Sequence, residues 1–386
     1  MNKIIIVTIV TVSILSLLVF LSMQLNSEKQ TQSIPTNSQI TESDAKVHDA
    51  ESILLLCDID EYCIVKALRE LSTQQDEQTI YDTISEVMVH IDQGEIFCHV
   101  QGHHIGSYLY AYTQDLKQAL SVADRKCGGS MYHGIVENYF MSEVFFKGTN
   151  FDDVQIKDSC DQLLDDSQLL YFECVHGIGH GLVKAYGDIF SAVARCDEFE
   201  TQNIQSQCQQ GVFMENVVEF YSTGGGVFDE DDLLYPCNKL DSKYAENCYY
   251  YHASYILKKT LSASLSFGQC DRIIDEKQIQ SCYKGIGRQL NTFVEQFQDV
   301  IYYCQTGNPE YHEFCFEGNI VVVSDQLGLD KSFQTCHSYP EQFQVECFSY
   351  IGTWILLLNL SPDQIVEECK KAGEKYYNVC LQPTFN

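Results

Sequence analysis

The chain has 386 residues, with 54 acidic and 24 basic side chains and a formal net charge of -30. This length exceeds that of a usual single-core domain, so it favours either two domains or one elongated repeat array. Such an acidic chain repels phosphate backbones and anionic lipid surfaces, and its few arginines are scattered rather than arranged in a stripe. We therefore expect no nucleic-acid partner.

The first 48 residues contain two segments of different character. Residues 4–22 carry no charge and, at about 1.5 Å per helical residue, are long enough to cross a bilayer. Lys3 precedes them, which predicts a cytoplasmic N-terminus. We interpret residues 1–23 as a transmembrane anchor, with a cleaved signal peptide, and hence secretion, as the alternative. Residues 24–48 are rich in Gln, Ser, Thr and Asn and predict a disordered polar linker.

The remaining segment, residues 49–386, is then predicted to lie outside the cytoplasm, at the cell surface or in the periplasm. An exported chain oxidises its cysteines, so the 18 cysteines predict disulfides. Zinc–thiolate sites are the alternative, and the lack of any Cys-x-x-Cys motif disfavours them. From residue 160 onward the cysteines form seven couples: 160 and 174, 196 and 208, 237 and 248, 270 and 282, 304 and 315, 336 and 347, 369 and 380.

The couples recur about every 33 residues, which is typical of a repeated supersecondary unit. We expect a link within each couple, and we pair the remaining cysteines as Cys57 with Cys63 and Cys98 with Cys127. Apolar residues from Phe343 to Leu358 follow a helical period, and Ser361-Pro362-Asp363-Gln364 predicts the start of a second helix. The sequence thus predicts an all-α protein: an α/α solenoid of helix pairs stapled by disulfides, with an N-terminal transmembrane helix.

This pattern resembles the α/α solenoids of the tetratricopeptide and Sel1-like kind, particularly their disulfide-bonded, exported members, over residues 49–386. The cysteine couples here are spaced more widely than in those repeats, and the Sel1 Leu-Gly and Tyr positions are not reproduced. A different family with a convergent architecture therefore stays open. The resemblance implies that a concave face holds a protein or peptide partner.

Histidine occupies one position in three consecutive repeats. Aligning the segments that begin at His103, His133 and His176 by their glycines superposes these residues. His180 lies one turn after His176, and Glu137 one turn after His133, so each pair shares a helix face. Imidazole and carboxylate ligands suit a transition metal such as zinc, iron or copper. The candidate metal ligands are therefore His103, His133, Glu137, His176 and His180.

The alternative interpretation is that the glycines pack the helices tightly and the histidines are hydrogen-bonded members of that packing. The glycines also resemble those of the inner helices in α/α-toroid enzymes such as lanthionine cyclases. Those enzymes bind zinc through cysteines, whereas the cysteines of this chain fit the disulfide pattern. No complete catalytic motif is present, so the sequence leaves open whether the protein is an enzyme. We predict a membrane-anchored extracytoplasmic scaffold that binds a protein or peptide partner, with a metal-binding protein or metalloenzyme as the alternative function.

Overall fold

The computed structural model describes residues 49–385 apart from 58–60, 91–95, 125, 147–159, 164–166, 295–296 and 359. The predicted anchor and linker, residues 1–48, lie outside the described residues. Within the described ranges the secondary structure is helical and includes no strand. The same ranges also include no helix that is both long and apolar enough to cross a membrane.

Long helices alternate with short ones along most of the chain. The α-helices are α1 Ala50–Cys57, α2 Glu61–Ser72, α3 Glu77–His90, α4 Ile96–Thr113, α5 Leu116–Val122, α6 Ser130–Met141, α7 Gln168–Tyr186, α8 Ile189–Arg195, α9 Gln202–Thr223, α10 Ser242–Thr260, α11 Ala263–Cys270, α12 Glu276–Phe293, α13 Phe297–Cys304, α14 His312–Gln326, α15 Gly328–Ser338, α16 Glu341–Leu357, α17 Pro362–Cys369 and α18 Gly373–Phe385.

The predicted signals mark the helix ends. Helix α17 begins with the expected capping box, in which Ser361 accepts from the backbone N–H of Gln364 and the Gln364 side chain accepts from the N–H of Ser361. Asp188 caps α8 in the same way by accepting from the backbone of Phe190 and Ser191. These two short helices therefore each start at a polar residue that the sequence supplies shortly after a long helix.

Glycines let consecutive long helices approach within backbone contact. A Cβ atom built on Gly134 of α6 would lie 2.0 Å from the carbonyl oxygen of His103 on α4, and one built on Gly211 of α9 would lie 1.9 Å from that of His176 on α7. Such distances exclude any side chain. Each long helix from α4 to α18 consequently packs against the next long helix in the chain.

All 18 cysteines are paired in nine disulfides, and every predicted pair is confirmed. In the later repeats the first cysteine ends a short helix and the second lies inside the following long helix, as with Cys270 of α11 and Cys282 of α12. Nine disulfides indicate an oxidising, extracytoplasmic compartment.

The C-terminal half returns towards the N-terminal half. A Cβ built on Gly128, which directly follows Cys127, would lie 2.7 Å from Oδ2 of Asp325 on α14 and 3.6 Å from Nδ1 of His99 on α4. Residues separated by almost 200 positions therefore meet beside the first histidines of the candidate site.

Candidate metal centre

Five histidines from three consecutive long helices converge on one point. His99 and His103 come from α4, His133 from α6, and His176 and His180 from α7. The distances between neighbouring ring centroids run from 4.6 Å for His133 and His176 to 5.4 Å for His99 and His133. Two pairs are spaced i, i+4, so each pair lies on one face of its helix. The cluster is thus built by the packing of α4, α6 and α7.

Two overlapping groups in this cluster bring potential ligand atoms within 4.8 Å of one another. One group contains His99, His103 and His133, and the other contains His133, His176 and His180. We call the second group the inner trio, because all three of its side chains are buried. His99 and His103 are only partly buried, and we call them the outer pair.

Each member of the inner trio has one buried nitrogen without a hydrogen-bond partner. These nitrogens are Nδ1 of His133, Nε2 of His176 and Nε2 of His180. A buried polar atom without a partner costs about 1 to 3 kcal/mol, and native proteins contain few of them. These three nitrogens lie in one cluster, so one ion that accepts lone pairs would satisfy all three at once.

Carboxylates orient the rings from outside the cluster. Oε2 of Glu173 lies 3.0 Å from Nε2 of His133, and Oε2 of Glu215 lies 2.7 Å from Nδ1 of His180. In both rings the nitrogen facing the carboxylate is the one opposite the partnerless nitrogen. Carboxylates placed in this way behind metal-binding imidazoles fix the ring orientation and raise the basicity of the ligand.

A charge network lies behind these rings. Nζ of Lys184 is 2.7 Å from Glu137 and 3.4 Å from Glu215, and Glu137 is also 3.5 Å from Nδ1 of His103. Burial alone would raise the pKa of Glu137, but the contacts with His103 and Lys184 lower that pKa to about 2. Burial raises the pKa of Glu215 to about 8, because Lys184 compensates it less completely and Glu137 repels it. Lys184 is therefore the charged partner of an ionised Glu137.

The buried histidines are neutral at physiological pH. Burial, reinforced by neighbouring imidazoles, lowers the pKa of His99, His133, His176 and His180 well below the usual value. A neutral imidazole offers a lone pair, so these side chains need not lose a proton before they bind a metal ion.

An aromatic and cationic group borders the inner trio on the side of the later repeats. The ring of Tyr251 on α10 lies 6.2 Å from that of His176, and the guanidinium of Arg288 on α12 lies 4.6 Å from the Tyr251 ring. Arg288 also stacks on Tyr250, at 5.6 Å. Its positive charge reaches His176 and adds to the lowering of the His176 pKa by burial.

The structure brings together four of the five residues proposed from the sequence. His103, His133, His176 and His180 all lie in the cluster, whereas Glu137 points to Lys184 and His103 and belongs to neither group of potential ligand atoms. Sequence reasoning missed His99, although it precedes His103 by four residues, the same spacing that singled out His176 and His180.

The orienting carboxylates were also missed, for a different reason. Glu173 and Glu215 lie 40 and 35 residues away along the chain from the histidines that they contact. Each comes from the next long helix, and a repeat pattern alone does not show which of its surface carboxylates turns inward.

Comparison with known proteins adds no family: no family model matches the chain, and no curated protein and no solved structure matches it either. The functional argument therefore depends on the residues of the cluster.

Proposed function

We propose that this protein is an extracytoplasmic metal-binding protein, in which His133, His176 and His180 bind one first-row transition-metal ion. The observation that carries the proposal is the set of three buried imidazole nitrogens that lack partners and converge from two helices. Zinc, iron and copper are the cofactors that suit nitrogen ligands of this kind.

The residues fit such an ion in charge as well as in geometry. Three neutral imidazoles leave the positive charge of a divalent ion uncompensated, and Glu173 and Glu215 stand directly behind two of the rings. Three histidines also leave at least one coordination position for water or another small ligand, the arrangement that lets zinc activate water. The site therefore has the composition for Lewis-acid chemistry as well as for storage or transfer of metal.

Packing alone does not account for the histidines. On α10 and α12 the residues at the equivalent contact are Tyr250 and Lys284. A Cβ built on Gly285 would lie 2.1 Å from the carbonyl oxygen of Tyr250, and one built on Gly318 would lie 1.8 Å from that of Lys284. The same close helix contact thus forms without histidine. This comparison favours a ligand-binding role over the packing interpretation.

We propose further that the helical repeats form an α/α solenoid, tethered to a membrane by a helix within residues 1–23. The recurring contact of each long helix with the next supports the solenoid. The scaffold function stays a prediction. Its candidate binding surface for a peptide is a cleft of about 310 Å³ beside Phe316, Tyr339 and Phe343.

Metal analysis tests the metal-binding function. Protein produced in an oxidising compartment should contain stoichiometric zinc, iron or copper, and the double variant His133→Ala, His176→Ala should lose it. His252→Asn is the matched control, because His252 is also buried with one nitrogen lacking a partner but belongs to neither histidine group. If the wild-type protein takes up no transition metal at micromolar concentrations, the proposed function is wrong.

A further inference from the structure

The outer pair has a feature that a single ion at the inner trio does not explain. Nε2 of His99 and Nε2 of His103 face each other at 3.2 Å. What lies between two imidazole nitrogens at this distance depends on where the ring protons are, and the opposite nitrogen of each ring indicates that position.

The tautomer of His99 follows from its backbone contact. Its Nδ1 lies 2.8 Å from the carbonyl oxygen of Cys127, and a carbonyl oxygen only accepts. Nδ1 of His99 must therefore carry the proton. In the neutral ring this tautomer leaves the lone pair on Nε2, which faces His103.

The contact of His103 with Glu137 gives the same result. Nδ1 of His103 lies 3.5 Å from Oε2 of Glu137, a carboxylate that Lys184 also binds. An anionic oxygen favours a proton on the facing ring nitrogen, which leaves a lone pair on Nε2. When both rings are neutral and have these tautomers, two lone pairs point at each other across 3.2 Å, and one cation between them would be held by both nitrogens.

The spacing suits a metal ion. Two nitrogens at typical metal–nitrogen distances of about 2.0 to 2.1 Å and separated by 3.2 Å subtend an angle of roughly 100° at the ion, close to the tetrahedral value. The two orienting contacts, a backbone carbonyl and a carboxylate, are the partners that metal-binding histidines usually have.

We propose that His99 and His103 bind a second metal ion beside the ion at the inner trio, so that the cluster is a dinuclear site. The ring of His103 lies 4.9 Å from that of His180 and 5.2 Å from that of His133, so the two ions are neighbours. His133 belongs to both groups of potential ligand atoms and lies between the ions. The outer ion occupies the more exposed side of the cluster.

This inference rests on the proposed function, and the number of bound ions separates the two. The full chain with intact disulfides, stripped of metal, is titrated with Zn²⁺ against a chromophoric competitor in excess Mg²⁺, which occupies the surface carboxylates. The wild-type protein should bind two Zn²⁺. A capacity of one overturns the dinuclear site, and a capacity of zero overturns the proposed function together with it.

Variants assign each ion to its ligands. His99→Asn keeps a donor near the Cys127 carbonyl but removes the ligand nitrogen, and it should lower the capacity from two to one. His176→Ala should also leave one ion, held by the outer pair, and His252→Asn should leave two. If His99→Asn still binds two ions, the outer pair is not a site.

A spectroscopic measurement on the wild-type protein does not depend on how the variants fold. With one equivalent of Cu²⁺ the electron paramagnetic resonance signal should be that of an isolated ion, and a second equivalent should broaden or abolish it by coupling between neighbouring ions. Two additive, uncoupled signals would contradict a dinuclear site.

Discussion

The N-terminal and C-terminal repeats build the same helix contact with different side chains. Gly134 packs against the carbonyl of His103 in the first half, and Gly318 packs against that of Lys284 in the second. The side chains at these contacts pair differently: His103 faces Glu137, whereas Lys284 binds Glu317 at 2.7 Å. Backbone packing is therefore common to both halves, and the histidine cluster belongs to the first half.

The difference separates what holds the long helices in place from what the side chains at their contacts do. The glycines and disulfides set the position of each long helix, and they recur in both halves. The residue facing inward at the contact is then free to change from one repeat to the next. The proposed site lies where three successive long helices carry histidine at that position and bring potential ligand atoms close together.

The largest expected effect tests the shared packing. Gly134→Ala and Gly318→Ala should each lower the free energy of unfolding by about 3 kcal/mol, because the new methyl group meets a backbone carbonyl that cannot move away. Chemical denaturation of the metal-free, oxidised protein measures both. Gly268→Ala is the control, since a Cβ there meets nothing within 4 Å and alanine favours the helix. A tolerated Gly134→Ala would show that the two halves do not share this contact.

The sequence predicted the elements that depend on local spacing. The seven regular cysteine couples identified seven of the nine disulfides, and Ser361 with Gln364 identified a helix start, because both signals are short-range or recur with the repeat. The Cys57–Cys63 and Cys98–Cys127 pairs do not follow that spacing. The convergence of His103, His133 and His176 followed from the shared register. The contacts of Glu173 and Glu215, and the approach of Asp325 to Gly128, are long-range contacts that depend on how the helices pack in three dimensions, which a periodic pattern does not encode.

A carboxylate exchange compares the two halves in metal binding. Glu215→Gln should weaken metal binding about 10-fold to 100-fold, because the carboxyl group is able to ionise and support the His180 imidazole beside a bound cation, whereas the amide is not. Glu317→Gln, which removes the partner of Lys284 in the second half, should leave the affinity unchanged. Competition titration of both variants measures their metal affinities relative to that of the wild-type protein. Equal weakening by both would mean that overall charge, rather than the contact with His180, sets the affinity.

Acid should destabilise the first half before the second in the metal-free protein. His99, His133, His176 and His180 have pKa values well below the value of about 6.5 for an unfolded histidine. Below about pH 6.5 the unfolded state thus binds more protons than the folded state does. The contribution of these histidines to the stability is therefore present above that pH and is lost as the pH falls. Hydrogen exchange should show α4, α6 and α7 losing protection before α12 and α14.

Glu215 acts in the opposite direction in this experiment. Its folded pKa of about 8 lies above the unfolded value, so its contribution is lost as the pH rises through 8 and grows as the pH falls. The four histidines together should affect the stability more than this one carboxyl group does. Glu215→Gln removes the opposing contribution, so the loss of stability with falling pH should become steeper. Uniform loss of protection across both halves would contradict the assignment of acid sensitivity to the cluster.

The smallest expected effect concerns the point where the second half touches the site. Arg288 stacks on Tyr251, whose ring borders His176, and its positive charge opposes the binding of a cation there. Arg288→Met keeps an unbranched stem against the tyrosine and removes the charge, so the affinity of the inner trio for Zn²⁺ should rise several-fold, on the order of 1 kcal/mol. Lys284→Met, one turn earlier on the same helix, should change the affinity little because Glu317 already compensates Lys284. The gain from Arg288→Met should also shrink as salt is added, because screening weakens the repulsion that the substitution removes. Zn²⁺ titrations of both variants at low and high ionic strength measure this difference, and an unchanged affinity in Arg288→Met at low salt would show that the second half supplies packing to the site but no electrostatic control.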